Sequence, residues 1–337
     1  MTLLLNDSDV KQILTFEDTL DAVEDAYRQY GNNLAGVNGY GFGPPPKREL
    51  RIKGKGLPHA DPQTESIAQG IAYLEGTNMV VLQHAFNFGK RRGGGLFHLL
   101  DRVSGDTLAV ITNQSEDIWW LRSGATGAIG AKYLAQTGSK IAGVIGTGRH
   151  GRAHLQALSK VLDLDKAYSH SGRHKDSVYA QEMSEKIGIE VIATDTAEEV
   201  VRNADILVTA TPSTIPIVMG DWLHDGLHIN AIGADCPLKV ELDSTVFQRA
   251  DKLVIEDDQA LTICELRKPL EQGILSPEDI YGTIGEIVAG KKPGRESSSE
   301  ITLLECCGTT LSYVTICAAI YKKAQKMGLG TEISSLI

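Results

Sequence analysis

The sequence predicts an α/β protein with a doubly wound parallel sheet and a second, smaller mixed α/β domain. Short apolar strands alternate with helix-like segments from residue 140 to residue 256, a rhythm typical of a parallel sheet that carries helices on both faces. From residue 71 to residue 111, strand-like runs follow one another with only turns between them, which favours antiparallel pairing. The smaller domain is therefore expected at residues 1–118, completed by 312–337, and the larger one at residues 119–311.

Composition and charge limit the classes of protein to which the chain can belong. With 337 residues, 42% hydrophobic and 23% charged, it has the makeup of a soluble globular protein, and its formal net charge of −10 argues against nucleic acid as a partner. It has no apolar run of membrane-spanning length and no signal-peptide pattern, so we expect a cytoplasmic location without membrane partners. The five cysteines include no C-x-x-C pair, which favours buried thiols over zinc ligands or disulfides, and no metal site is predicted.

The smaller domain begins with a predicted helix. Residues 6–30 carry apolar side chains on one side after a cap at Asp7 or Ser8, which predicts a single surface helix. Residues 31–70 are rich in glycine and proline and include a basic run around Arg51. Such a run is either a solvated loop or edge strand, or a place where an anionic substrate is held.

Three strand-like runs follow, at residues 79–82, 96–100 and 108–111. Residues 86–95, between the first two, predict a flexible basic loop whose Lys90, Arg91 and Arg92 are either solvated or in contact with a substrate. A hairpin turn is expected at residues 101–106. The chain then predicts a helix at residues 117–136, whose small side chains indicate close packing between domains, and the last long helix is expected at residues 311–327.

A glycine-rich turn opens the larger domain. An apolar strand from Ile141 to Ile145 runs into the sequence GTGRHG, and an apolar-periodic segment follows at once. A strand, a tight turn and a helix N-terminus in this order form a dinucleotide site, because the backbone N–H groups and the positive end of the helix dipole meet the pyrophosphate. Any strand-to-helix turn can use one glycine triplet, but the context favours the functional interpretation. The predicted cofactor contacts here are Gly146, Thr147, Gly148, Arg149, His150 and Gly151.

Further contacts are expected where later strands end, because ligands lie outside the carboxyl ends of parallel strands. A strand at residues 205–211 ends in Thr209, Ala210 and Thr211, and the strand at residues 227–233 ends in Gly233. Asp235 follows, where the nicotinamide and the substrate would meet. The alternative for Asp235 is a turn or helix cap, since Asp is common there.

The end of the second strand of this domain bears on the choice of cofactor. An NAD site usually places a carboxylate there for the ribose 2′-hydroxyl, but this strand ends in Ser171, and Arg173 follows before the next carboxylate at Asp176. A serine hydroxyl and an arginine can hydrogen-bond and neutralise a 2′-phosphate. The sequence therefore predicts that NADP is preferred over NAD, with a solvated basic turn as the alternative interpretation.

Four segments together resemble the ornithine cyclodeaminase/mu-crystallin family. They are GADCPLKVELD from Gly233 to Asp243, LRSGAT from Leu121, the glycine turn, and VAGK from Val288 with GRESSS from Gly294. The resemblance covers most of the chain from about residue 71 to residue 330. It implies a homodimer with a substrate-binding and dimerisation domain, a Rossmann domain and NAD(P), with Asp235 as the catalytic acid/base and Arg122 as the arginine that grips the substrate carboxylate.

Two positions depart from the family pattern. Met79 stands where many members have a substrate-binding lysine, for which Lys90, Arg91 or Arg92 could substitute. Near the end of the chain, Ser312 and Tyr313 stand where members have an acidic pair. We therefore expect substrate contacts from Arg51, Lys90 and Arg122, but the sequence does not identify the substrate.

The resemblance implies two kinds of chemistry that share one first step. The favoured one is a reductase or dehydrogenase that moves hydride between the nicotinamide and the α-carbon of an amino or imino acid, with one carboxylate serving as proton donor and acceptor. The alternative is a cyclodeaminase-type lyase, which releases ammonia and recycles NAD. A third possibility, a binding protein without chemistry, is disfavoured by the presence of Asp235 and Arg122.

Overall fold

A computed structural model describes residues 1–38, 65–88, 91–115, 117–172, 176–235 and 239–334 of the protein. Within these ranges the strands are β1 (Thr2–Leu5), β2 (Ala35–Asn38), β3 (Glu65–Leu74), β4 (Met79–Phe88), β5 (Arg91–Asp101), β6 (Thr107–Thr112), β7 (Ile141–Ile145), β8 (Lys166–His170), β9 (Glu190–Ala193), β10 (Ile206–Thr209), β11 (Thr214–Val218), β12 (His228–Ala231), β13 (Val240–Leu242), β14 (Lys252–Ile255), β15 (Ile280–Thr283), β16 (Thr302–Glu305) and β17 (Thr331–Ile333). The helices are α1 (Asp7–Ile13), α2 (Phe16–Gly31), α3 (Asp117–Leu134), α4 (Arg149–Val161), α5 (Asp176–Ile187), α6 (Ala197–Asn203), α7 (Ser244–Arg249), α8 (Ala260–Ile263), α9 (Arg267–Glu271), α10 (Ile284–Val288) and α11 (Leu311–Met327). None of the helices in these ranges combines the length and apolar character needed to cross a membrane.

The chain divides into two compact units. The first unit consists of Met1–Arg122 and Thr309–Ile337, and the second consists of Ser123–Gly308. The division therefore falls inside α3, whereas the sequence placed it after residue 118. The functions expected of the two domains stay predictions.

The first unit is built on a seven-stranded sheet in the order β17-β1-β6-β5-β4-β3-β2. All neighbouring strands pair antiparallel except β1 and β6, so the expectation of a mainly antiparallel sheet is confirmed. Alternate side chains such as Val81, Phe97 and Leu99 are buried, and α11 packs on the sheet. The ring of Phe97 lies 4.9 Å from that of Tyr313 on α11.

Two sequence predictions in the first unit were wrong in detail. Residues 6–30 form two helices, because Thr15 caps α2 by accepting a hydrogen bond from the backbone of Asp18, and the chain must leave the helical conformation to do so. Residues 86–95 are not a long loop: β4 continues to Phe88, β5 begins at Arg91, and the two strands pair. Met79 opens β4 and is buried, as a core residue would be.

The second unit is built on an eight-stranded, entirely parallel sheet in the order β15-β14-β16-β12-β10-β7-β8-β9. The doubly wound α/β fold class is thereby confirmed. The strand of this sheet that comes first along the chain is β7, and it pairs with β8 on one side and with β10 on the other. The strand order therefore reverses between β7 and β10. A small two-stranded sheet, β11 with β13, lies outside it.

The sequence missed β16, a strand inside the parallel sheet. Residues Thr302–Glu305 are fully buried and pair with both β12 and β14, although residues from 301 onward seemed to leave the alternating pattern. The strand is short, and the 13 residues between α10 and β16 form no helix that would indicate a following parallel strand.

Small residues on α3 allow close packing inside the second unit. A methyl group added at Gly124 would lie 2.6 Å from the backbone oxygen of Ala153 on α4, and one at Gly127 would lie 2.4 Å from the ring of His154. These glycines thus bring α3 against α4 of their own unit; the expected packing between domains stays a prediction.

The cysteines contradict the expectation of buried thiols alone. Cys264 and Cys307 form a disulfide with Cα atoms 6.0 Å apart, while Cys306 and Cys317 are buried and reduced. Cys236 lies outside the described residues. The disulfide joins the segment after α8 to the segment after β16, a proximity that a separation of 43 residues along the chain does not reveal.

Candidate dinucleotide site

Two glycines make the turn after β7 possible. Gly146 has a φ of +109°, a conformation that L side chains rarely adopt. A methyl group at Gly151 would lie 2.0 Å from the backbone oxygen of Gly146, so only glycine lets α4 approach the end of β7 this closely. These two residues are needed for the shape of the turn.

Gly148 differs from the other two glycines because no contact among the described residues requires glycine there. Its φ of −77° suits any residue, and a methyl group added there would meet no described atom within 4 Å. It is the N-cap of α4, no side chain caps that helix, and the first turn contains no acidic residue. The backbone is thus bare where a pyrophosphate would approach the positive end of the helix, and the turn fits a dinucleotide.

A cavity of about 790 Å³ opens at this turn. It lies where the strand order reverses between β7 and β10, the position at which doubly wound sheets bind ligands. One wall is apolar and suits a flat ring; it consists of Val178, Ala197, Pro216, Ile217 and Trp222.

The structure brings six of the predicted cofactor residues to this cavity and leaves others away from its lining. The residues that line it are Gly146, Thr147, Gly148, Ser171, Ala210 and Thr211. Thr209 is fully buried, and His150 is hydrogen-bonded through its Nδ1 atom to Ser123 on α3, 3.0 Å away. Arg149 is exposed on the first turn of α4.

The carboxyl end of β8 contains an acidic group that the spacing along the sequence did not indicate. The Asp176 carboxylate accepts a hydrogen bond from the Ser171 backbone N–H at 2.8 Å and from the Thr147 hydroxyl at 3.4 Å. Helix α5 begins at Asp176, which brings the carboxylate back to the end of the strand. The Ser171 hydroxyl oxygen is buried and has no hydrogen-bond partner among the described residues.

Sequence reasoning also missed Arg152, which lines the cavity. It donates hydrogen bonds to the backbone oxygen of Thr147 and to Glu182, so it supports the turn and adds positive charge beside it. The only feature in the sequence that could indicate this role is that Arg152 directly follows the last glycine of the motif, and an arginine in the first turns of a helix is common.

Asp235 follows β12 and is half exposed. Its carboxylate lies 2.6 Å from the ammonium group of Lys239, a residue that sequence reasoning passed over. Between them, residues 236–238 lie outside the described part of the chain. A carboxylate that is partly open to solvent can in general exchange a proton with a molecule that binds beside it.

Three buried glutamates lie behind these loops. Glu241 on β13 accepts hydrogen bonds from the backbone N–H groups of Thr211, at 2.5 Å, and Gly233, at 2.8 Å. Glu265 accepts in turn from the backbone of Glu241, at 2.6 Å, and of Leu242, at 2.9 Å. Glu305 ends β16 and is likewise buried.

Burial raises the pKa of all three glutamates, because a low-dielectric interior disfavours the charged form. For Glu265, burial and the neighbouring Glu241 carboxylate raise the pKa to about 8. For Glu241, the N–H groups of Thr211 and Gly233 oppose the effect of burial on the pKa. At neutral pH the three glutamates together therefore carry fewer than three negative charges.

In the first unit, Arg122 is buried and held in a fixed position. Its Nε atom donates to the Ser312 hydroxyl and one Nη atom donates to the Thr309 backbone oxygen, each at 3.1 Å. The guanidinium lies 5.5 Å from the Tyr313 ring centre. Ser312 and Tyr313 therefore contact the arginine through a hydroxyl and a ring.

Several predicted residues cannot be placed. Arg51, Lys90 and Arg173 lie outside the described residues, and the side chains of Arg91 and Arg92 are also outside the description. Their roles stay predictions.

Comparison with known proteins identifies relatives along nearly the whole chain. The model of the ornithine cyclodeaminase/mu-crystallin family matches residues 1–328. An alanine dehydrogenase from Archaeoglobus fulgidus is 35% identical over 335 residues, which cover 98% of each chain.

Two solved structures share the fold of the chain. A Thermococcus litoralis Δ1-pyrroline-2-carboxylate reductase in complex with NADH and L-proline superposes with a TM-score of 0.87 at 29% identity, covering 98% of this chain and 100% of that one. An archaeal alanine dehydrogenase dimer with bound NAD gives a TM-score of 0.86 at 32% identity and 99% coverage of both chains.

Proposed function

The chain belongs to the ornithine cyclodeaminase/mu-crystallin family, and from that premise we propose that it is an NAD(P)-dependent oxidoreductase of small amino or imino acids. It is an imine reductase or amino-acid dehydrogenase. The observation that carries the proposal is the open cavity at the strand reversal, where Gly148 leaves the backbone bare for a pyrophosphate. The relatives named above, an alanine dehydrogenase and a pyrroline-2-carboxylate reductase, support the same class.

The proposed reaction needs a proton carrier. When bound, the dinucleotide supplies or accepts hydride at the carbon that bears the nitrogen. Converting an amine to an imine releases a proton, and the reverse reaction consumes one, so a single carboxylate can serve in both directions. Asp235 is our candidate, because its carboxylate is accessible to solvent and lies 2.6 Å from the Lys239 ammonium group.

The substrate carboxylate needs a fixed positive partner. Arg122 is our candidate, because Thr309 and Ser312 hold its guanidinium in one orientation and its fork matches the two oxygens of a carboxylate. Holding the carboxylate fixes the α-carbon and so raises the rate through orientation.

A screen that follows nicotinamide absorbance tests the proposal. L-alanine, L-proline, L-ornithine and L-lysine are offered with the oxidised cofactor, and Δ1-pyrroline-2-carboxylate or pyruvate with ammonia is offered with the reduced one. Net consumption of cofactor is the expected result. Proline and ammonia formed from ornithine without net cofactor change would identify a cyclodeaminase instead, and no binding of either dinucleotide would refute both.

For the cofactor, we propose a preference for NADP(H), in which Ser171 and Arg173 bind the 2′-phosphate. The Ser171 hydroxyl is buried and has no protein partner among the described residues, so a phosphate oxygen would satisfy it. The Asp176 carboxylate is already bound to the Ser171 N–H and Thr147 hydroxyl, which gives it a role in the turn. Two relatives have been solved with NADH or NAD, so the preference has to be measured directly.

The measurement compares kcat/KM with NADPH and with NADH in the parent, in Arg173→Ala and in Lys175→Ala as a matched control. We expect Arg173→Ala to lose most of the NADPH preference and Lys175→Ala to keep it. Equal efficiencies in the parent, or an unchanged preference in Arg173→Ala, would show that the cofactor is chosen differently.

We also propose that the protein is a homodimer through the face of the seven-stranded sheet that lies opposite α11. A row of partly exposed side chains crosses five strands on this face: Leu4, Val110, His98, Leu82 and Ile71. The residues one position along these strands point to the opposite face and are buried, as Ala72, Val81 and Phe97 are. A contiguous apolar face of this kind is typical of an interface between subunits.

Light scattering after size exclusion tests the dimer. Leu82→Asp would place a charge within the row, between His98 and Ile71, and should yield a monomer. Val103→Asp serves as the control, because Val103 is 81% exposed at a hairpin away from the row. A Leu82→Asp protein with the parent's mass would rule out this face.

A further inference from the structure

One buried carboxylate connects the loop that lines the cavity with the loop that carries Asp235. Glu241 is fully buried on β13, and its two carboxylate oxygens go to two different loops. One oxygen accepts the backbone N–H of Thr211, after β10, and the other accepts that of Gly233, after β12. Thr211 lines the cavity, and Asp235 follows Gly233 by two residues.

The backbone around Glu241 is shaped for this contact. A methyl group on Gly233 would lie 2.5 Å from the Thr211 nitrogen and 2.6 Å from a Glu241 oxygen, so glycine is what lets the two loops and the carboxylate meet. The Gly233 N–H is shared with the Thr209 backbone oxygen, 3.1 Å away.

Glu241 is itself held from behind. The Glu265 carboxyl accepts the backbone N–H groups of Glu241 and Leu242, which fixes β13 at the position from which Glu241 reaches both loops. The chain of contacts therefore runs from Glu265 through Glu241 to the loops, and both glutamates are buried.

We propose that Glu241 is a positioning residue of the active site, which sets the Asp235 loop relative to the dinucleotide loop. The inference rests on the proposed function. A carboxylate is suited to the role because both of its oxygens accept hydrogen bonds, whereas an amide would present its NH₂ group to an N–H donor and lose one contact. The residue acts through the backbone and touches neither cofactor nor substrate.

The test compares Glu241→Gln with Asp205→Ala. Asp205 also accepts two backbone N–H groups, those of Lys140 at 2.7 Å and Ile141 at 2.9 Å, but both go to one of its oxygens, so alanine rather than asparagine is needed to remove them. Asp205 immediately precedes β10, whereas Thr211 and Gly233 follow the carboxyl ends of β10 and β12. Both variants lose a carboxylate contact to backbone in one unit, so a purely structural effect should appear in both.

We expect Glu241→Gln to weaken NADH or NADPH binding by about tenfold or more, the worth of one hydrogen bond to a charged group, and to lower kcat as well. In the free protein, amide hydrogen exchange should rise in the peptides that contain Thr211 and Gly233. Asp205→Ala should lose stability while its cofactor affinity, kcat and exchange at those two peptides stay at the parent's values.

Parent affinity, turnover and exchange in Glu241→Gln would overturn the inference. If that variant does not fold, Glu241→Asp replaces it, because the shorter charged side chain cannot reach both loops; parent values there would have the same meaning. Failure of the proposed function has a different signature: the parent would bind neither dinucleotide, whereas the exchange result does not depend on any ligand.

Discussion

Alanine substitutions at Gly148 and Gly151 would separate cofactor binding from packing within a single turn. The two residues are three positions apart in the same motif, yet their surroundings are opposite. A methyl group at Gly148 meets no atom within 4 Å, while one at Gly151 lies 2.0 Å from the backbone oxygen of Gly146 and 3.0 Å from a Val144 methyl group.

The expected magnitudes follow from these distances. At Gly151 the methyl group would lie more than 1 Å inside ordinary contact, and the obstacle is backbone, so either α4 or the turn must move. Overpacking of this kind costs about 3 kcal/mol, which lowers the Tm by roughly 6–12 °C for a unit of this size. At Gly148 the φ of −77° suits alanine and no contact is formed, so the Tm should change by about 1 °C or less. The new methyl group would instead stand where the pyrophosphate approaches and weaken binding by about tenfold or more.

Thermal unfolding followed by circular dichroism gives the Tm, and the fluorescence of NADH or NADPH gives the Kd. Affinity in Gly151→Ala is measured well below its Tm, so that loss of folded protein does not imitate loss of binding. If Gly148→Ala binds the dinucleotide as the parent does, the phosphate does not approach this turn. If Gly151→Ala keeps the parent's Tm, close packing of α4 on the turn does not contribute to stability.

Three further predictions concern single side chains. Asp235→Asn should retain fold and dinucleotide binding while turnover falls by roughly two to four orders of magnitude, and unchanged turnover would exclude Asp235 as the acid/base. Arg122→Lys keeps the charge but loses the planar fork, so KM for the amino or imino acid should rise about tenfold or more while dinucleotide Kd stays the same; a change in Kd alone would contradict the role. Glu265 has its pKa raised to about 8, so the folded protein keeps a proton that the unfolded chain loses, and stability should fall between about pH 4.5 and pH 8. Glu265→Gln, neutral throughout, should gain a few kcal/mol over the parent across that window in urea unfolding, and a constant difference would contradict the raised pKa.

The parts of the fold that local pattern decides could be predicted from the sequence. The strand Ile141–Ile145, the glycine turn and the helix after it follow one another without a gap. Each of these elements makes the assignment of its neighbour more specific. The long helix at Leu311–Met327 was also predicted with these ends, because its apolar residues are continuous and Gly328 ends it in the left-handed conformation.

Features that depend on contact between distant segments could not be predicted. Strand β16 is defined by its two neighbours in the sheet rather than by its own short sequence. Glu241 meets Thr211 across 30 residues, and Cys264 meets Cys307 across 43. The sequence alone does not distinguish a buried glutamate or cysteine from an exposed one, because the tertiary fold determines its burial and its partners.

Asp176 shows the same difficulty at the scale of a few residues, and it bears directly on the cofactor. Counting along the chain places this carboxylate too late to meet the ribose, yet it returns to the end of β8 because α5 begins with it. A charge there would repel a 2′-phosphate by between about 1 and 4 kcal/mol at 4 Å, depending on how much water screens the pair. A bidentate arginine contact is of the same size. The preference for NADP(H) therefore turns on whether Arg173 outweighs Asp176, a balance between two opposite charges that neither the spacing of the residues nor either side chain alone decides.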